Sequence, residues 1–284
     1  MMSQSENDLH PLENATRLTW HDGHWRGHTS PDYWAFIGPF GGATAATLLR
    51  AVLDHPDRIG DPLALTVNYC APIAEGQFQI AIRAAKTNRS TQHWTMELCQ
   101  QDGEALATAT AVFAVRRPTW NHAVARIPHA PAPQTLARFE NKLSRSSWID
   151  RYDMRFVGGN PAFGATPQSE PQPADTLLWL RDAEPRRLDY LSLVSMSDAF
   201  FGRVFHILGV LVPFGTVTLT TYFHGGAQDM VAENDWVLGR AGASVFRNGF
   251  GDQSVELWAP DGRLLTTSIQ ATYYRDWKPA DTSD

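Results

Sequence analysis

The chain has 284 residues, 43% of them hydrophobic and 19% charged, with a formal net charge of −6. That balance supports folded cores rather than disorder, and the length suits two domains of ordinary size. The acidic surplus argues against nucleic acid or an anionic membrane as the main partner. Two cysteines, Cys70 and Cys99, are too few for a disulfide framework or a thiolate metal site.

The opening stretch, MMSQSENDLHPLENATR, is polar and acidic and lacks the pattern of a secretion signal, so a cytoplasmic chain with reduced thiols is expected. From Leu18 to Trp34 short strand-like pieces alternate with turn chemistry at Asp22-Gly23 and Ser30-Pro31. Pro39, Gly41 and Gly42 then precede Ala43 to Leu53, an Ala- and Leu-rich helix that needs burial on more than one face. Leu63, Leu65, Val67 and Tyr69 alternate with polar or small residues and predict a strand. Further strands are predicted at Phe78 to Ala84, Gln92 to Gln100 and Leu106 to Arg116, with Asp102-Gly103 as the turn between the last two.

Residues 118–133, PTWNHAVARIPHAPAP, read as a linker by composition, and Leu136 to Trp148 is a helix candidate. Tyr152 to Val157 and Thr176 to Arg181 are predicted strands around a Gly- and Pro-rich loop. Leu188 to Leu208 reads as an apolar helix stopped by Pro213, with Asp198 in its middle. Thr216 to His224 alternates like a strand, Thr216, Thr218, Thr220 and Tyr222 sharing one face. Strands near Trp236 to Phe246, Gln253 to Trp258 and Leu264 to Arg275 complete the series. The longest apolar run, Ile207 to Phe214, is far short of the ~20 residues that span a bilayer.

The two halves repeat one order. QDGEALATATAVFAVR lies over PDGRLLTTSIQATYYR without a gap, which superposes Ala111 on Gln270. A helix followed by antiparallel strands, written twice, predicts an α+β duplication: one domain over 17–117, a linker over 118–149 and a second domain over 150–276. Exposed sheet edges and faces in such a pair predict a homo-oligomer.

Asp198 is the first residue to explain, because a buried carboxylate is costly unless paired or hydrogen-bonded. It either caps structure or does chemistry. The first half aligns Gly41 or Gly42 with Asp198 and Ala111 with Gln270, an asymmetry that favours chemistry. Gly41 and Gly42 open a helix whose unpaired backbone N–H groups suit an oxyanion or substrate. His93, His206 and His224 have no metal-ligand spacing, and no GxSxG elbow, dinucleotide fingerprint or P-loop occurs. Arg89 could meet a phosphate, although a solvated role fits it as well.

The segments GPFGGATAATLLRA, LTVNYCAPI and NRS…QDG…ATAVF, with SMSDAFF, GTVTLTTYFH and TTSIQATYY in the second half, resemble the acyl-CoA thioesterase II and thioesterase-like group of double hot-dog proteins. The resemblance covers about residues 17–117 and 150–276. It implies two tandem hot-dog domains, each an antiparallel sheet wrapped round a central helix. It also implies hydrolysis of an acyl-CoA to free acid and CoA, with no metal, cofactor or covalent intermediate. The family's Asp, Gln and Ser/Thr roles carry over onto Asp198, Gln270 and Thr216, with Thr218 as the alternative to Thr216. A protein of the same fold that binds acyl groups without catalysis is the second reading.

Overall fold

A computed structural model describes residues 9–101, 103–161, 163–230 and 236–277. The first half contains β1 (Thr19–His21), β2 (His24–His28), β3 (Asp61–Tyr69), β4 (Gln77–Thr87), β5 (Thr91–Cys99) and β6 (Ala105–Ala114). The second contains β7 (Tyr152–Gly158), β8 (Thr176–Asp182), β9 (Phe214–Phe223), β10 (Val237–Gly242), β11 (Phe246–Arg247), β12 (Phe250–Trp258) and β13 (Leu264–Tyr274). Four helices are described: α1 (Pro11–Ala15), α2 (Gly41–Leu53), α3 (Tyr190–Met196) and α4 (Arg203–Leu208).

The strands form one antiparallel sheet in the order β1-β2-β4-β5-β6-β3-β9-β13-β12-β10-β8-β7, with β11 beside β12. Read from either end, the order is the same after pairing β1 with β7, β2 with β8, β4 with β10, β5 with β12, β6 with β13 and β3 with β9. This is a double hot-dog arrangement. The cross-strand registers repeat as well. Trp94 stands opposite Ala111 and Gln253 opposite Gln270, so both positions recur at one offset (270 − 111 = 253 − 94 = 159). Leu65 faces Ala111 as Leu219 faces Gln270, which sets the β3–β9 offset at 219 − 65 = 154. By that offset Thr66 corresponds to Thr220, and these two face each other with their hydroxyls 3.0 Å apart where β3 joins β9. A pseudo-twofold axis therefore runs between them.

Each half also carries a bulge at the same place. Leu63 is skipped between the Pro62–Phe113 and Ala64–Val112 pairs, and Val217 between the Thr216–Thr272 and Thr218–Ala271 pairs. An extra residue reverses the alternation of a strand, so side chains beyond it change faces.

The sheet curves over α2, which is buried along most of its length as its Ala and Leu content demands. α2 and α3 follow β2 and β8 and pack on each other at the centre. Leu188 to Leu208 is two helices rather than the single one expected. The chain leaves α3 at Ser197, tightens into i→i−3 bonds from the Asp198 and Ala199 N–H groups to the Ser195 and Met196 carbonyls, runs irregularly to Phe201, and restarts at Arg203. The break has a physical cause. Asp198 turns its carboxylate to Gln270 at 2.8 Å, and the Phe201 carbonyl is taken up by the Arg203 guanidinium. Asp198 thus stands past a helix end, not inside a helix.

The helix expected at Leu136 to Trp148 is absent: only short 3₁₀ turns occur, at Pro133–Thr135 and Ser147–Arg151. Ile127, Ala130 and Leu136 instead pack on a buried cluster of Trp179, Trp236, Leu238 and Trp258. The Pro-rich segment thus covers apolar surface of the second half's sheet, which its composition alone did not indicate. No helix among the described residues is long and apolar enough to cross a membrane.

Candidate active site

Asp198 is 8% exposed and lies where the end of α3 meets the start of α2. Its Oδ1 accepts a hydrogen bond from Gln270 Nε2 at 2.8 Å, and Gln270 Oε1 accepts from Thr216 Oγ1 at 3.0 Å. Gln270 is therefore held at both ends of its amide, which fixes its orientation. The bulge explains why Thr216 takes part. With regular alternation Thr216 and Thr218 would share a face, as the sequence suggested. Skipping Val217 turns Thr216 inward beside Gln270, while the Thr218 hydroxyl lies 3.4 Å from the Ala271 backbone N–H in an exposed position. Only Thr216 of the two lines the cavity described below.

Gly41 and Gly42 are not the symmetry counterparts of Asp198. Gly41 begins its helix, whereas Asp198 follows the end of its own, and the two meet across the centre of the molecule. A Cβ on Gly41 would stand 2.7 Å from Asp198 Oδ2, so only glycine leaves that oxygen its place. A Cβ on Gly42 would meet the Ser195 carbonyl oxygen at 2.5 Å. The Gly42 backbone amide lies near the Asp198 carboxylate and favours its charged form. The Tyr69 hydroxyl donates to the Gly41 carbonyl at 2.8 Å and so braces the same corner.

Burial drives the Asp198 carboxyl up to about 7, against the opposing pull of hydrogen bonds from Gln270 and the Gly42 amide. A carboxyl poised there is suited to taking and returning a proton near neutral pH. It opens on a cavity of about 330 Å³ whose walls include Phe40, Trp148, Phe200, Phe201, Phe205 and Phe214. The lining is mostly apolar, with Asp198, Thr216 and Gln270 among its polar groups, as expected of a small-molecule site. Among the described residues no group of His, Cys, Asp or Glu is placed to hold a metal ion.

Two family models match the chain. Residues 30–114 match the family model of the acyl-CoA thioesterase N-terminal domain, and residues 124–274 match that of the acyl-CoA thioesterase C-terminal domain. The chain belongs to the acyl-CoA thioesterase family. A hot-dog protein of unknown function from Alicyclobacillus acidocaldarius is 39% identical, with 95% of this chain and all of that one covered at a TM-score of 0.87. A putative thioesterase II from Thermobifida fusca is 19% identical over 95% of this chain and 99% of its own, at a TM-score of 0.77. The acyl-CoA thioesterase II TesB2 of Mycobacterium marinum is 16% identical over 95% of this chain and all of its own, at a TM-score of 0.73. These last two likenesses are of fold. No curated protein matches the sequence.

Within this acyl-CoA thioesterase family member, three contributions to the site lay outside the sequence reading. The sequence pattern marks Tyr69 only as a strand residue. Leu143, Ser146, Trp148 and Ile149 line the cavity from the segment taken for a linker. Gln253, the first residue of the strand that the sequence predicts, faces the cavity beside Gln270. The repeat held a signal for it: the same offset that aligns Ala111 with Gln270 aligns Trp94 with Gln253, a buried aromatic against an amide.

Proposed function

We propose that the protein hydrolyses an acyl-CoA thioester to free acid and CoA at the Asp198 cavity, with water as the nucleophile. The observation that carries the reading is a buried carboxylate poised near neutrality, hydrogen-bonded to Gln270, and facing an apolar pocket of a size suited to an acyl group. Asp198 accepts the proton of the attacking water. Gln270, locked by Thr216, orients the carboxylate and that water. The aromatic walls receive the acyl chain and exclude bulk solvent, which strengthens every polar contact at the reacting carbon. Gly41 leaves room for the carboxylate, and the Gly42 amide stabilises its charged form. Each step uses only water and the chain's own groups.

The direct test is thiol release across a panel of acyl-CoAs of different length, branching and aromatic character. Turnover of a good substrate should rise with pH through about 7 as Asp198 ionises, because the base works only in its charged form. Binding of acyl-CoA without thiol release across the panel would replace hydrolysis with acyl binding.

The two threonines give a finer test. Thr216→Val should lower turnover about tenfold, the size of one net hydrogen bond, while Thr218→Val should leave it unchanged. The reverse pattern would remove Thr216 from the site. We also propose an assembly of more than one copy, since Tyr222 on β9 and Ile269 on β13 lie exposed on the sheet. Sedimentation showing a monomer alone would remove that statement.

A further inference from the structure

Gln253 stands directly across β12 and β13 from Gln270, and both side chains are 2% exposed and line the cavity. The first half has Trp94 and Ala111 in these two places, so the sheet does not itself require an amide there. A buried amide left with unmet hydrogen bonds is costly. Gln253 meets one end of its set: Oε1 accepts from the Arg203 backbone N–H at 3.3 Å. That bond decides the amide's orientation, since only the oxygen can accept. Nε2 is then the end left for the cavity, and no hydrogen bond from it to a described residue is present.

The neighbouring donors are engaged differently. Gln270 Nε2 donates to the Asp198 carboxylate at 2.8 Å, and the nearby Gly42 amide favours the charged form of the same group. Attack on a thioester carbonyl moves the C=O π pair onto oxygen, and among Phe200, Phe201, Phe205 and Phe214 that charge meets little water. Donation from the Arg203 peptide to Oε1 polarises the Gln253 amide and strengthens its own N–H as a donor.

We propose that Gln253 is a further catalytic residue, donating from Nε2 to the carbonyl oxygen of the bound thioester and holding the oxyanion as it forms. The inference rests on the hydrolysis proposed above. In the first step the water oxygen bonds to the carbonyl carbon, one water proton passes to Asp198, and the π pair moves to the oxygen held by Gln253. In the second the pair returns, the C–S bond breaks, and the departing sulfur takes the proton back from Asp198. Acid and thiol are the products, and Gln253 exchanges no proton.

Gln253→Met keeps the side-chain length and removes both N–H groups. It should lower kcat by about 10²–10³-fold while KM changes by no more than a few-fold. The pH midpoint of its residual activity should match the wild type, because Asp198 is untouched. A second readout does not depend on turnover. In Asp198→Asn, which holds the bound thioester unreacted, the carbonyl stretch should lie below its value in water, and adding Gln253→Met should raise it. Turnover of Gln253→Met within about threefold of wild type overturns the proposal. So does a loss accompanied by a displaced pH midpoint, which makes Gln253 a positioning residue for Asp198. If Gln253→Met does not fold, a bound carbonyl stretch in Asp198→Asn no lower than in water overturns it equally. Failure of hydrolysis itself is distinguishable: it appears as no thiol release by the wild type, and it takes the Gln253 assignment with it.

Discussion

Asp198→Asn should fold like the wild type and lose turnover by about 10²–10⁴-fold, the usual contribution of a positioned general base. The amide nearly matches the carboxylate in shape and can still meet Gln270, but it cannot take a proton from water. Gln270→Ala should also lose turnover. The double variant should lose less than the product of the two, because both side chains act on one water. Circular dichroism and a melting curve check the fold, and thiol release from a good acyl-CoA checks the rate. Near wild-type turnover in Asp198→Asn would assign the base to another residue.

The same substitution should stabilise the protein at alkaline pH. The folded protein keeps the Asp198 proton up to about 7, whereas the unfolded chain releases it near the ordinary value of 3.8. Across that interval the native state binds more protons than the unfolded state, so stability falls as pH rises. The span is roughly three units at about 1.4 kcal/mol each, which puts the cost of the fully ionised group on the order of 4 kcal/mol. Asp198→Asn lacks this loss. Its melting temperature should exceed that of the wild type at pH 8 and approach it near pH 4. An equal difference at both values would mean that Asp198 is not the group responsible. Where the base is charged and ready, Asp198 itself costs the fold most.

Much of this architecture was legible in the sequence because it depends on local pattern. β3, β5, β6, β12 and β13 alternate cleanly, and the repeat around Asp102-Gly103 and Asp261-Gly262 supplied the register that the structure reproduces at an offset of 159. Asp198 and Gln270 stood out because the other half lacks them. What was not legible depends on contacts distant in sequence. The helix break at Ser197 to Gly202 is hidden by an apolar run that any buried helix could have. It is held by Gln270 and by the Arg203 side chain, neither of which a periodicity can reveal. The bulge at Val217 leaves no mark in GTVTLTTYF, whose alternation is unbroken, yet it decides which threonine faces the site. Leu143, Trp148 and Ile149 reach the cavity from a stretch between the two domains whose pattern suggests a helix that does not form.

The pseudo-twofold axis between Thr66 and Thr220 fixes how many ligands one chain can hold. A symmetric pair of such units would present two equivalent mouths. Here the place that mirrors Gln253, Gln270 and Thr216 is filled by Trp94, Ala111 and Pro62, with the Trp94 ring 4.7 Å from that of His55. That mouth has become hydrophobic core. The surviving one draws Gly41 and Tyr69 from one half and Asp198, Gln270 and Thr216 from the other. Joining the units in one polypeptide thus freed one member of each mirrored pair to become solid packing. A non-hydrolysable thioester analogue should accordingly saturate at one equivalent per chain, and neither half expressed by itself would bind it.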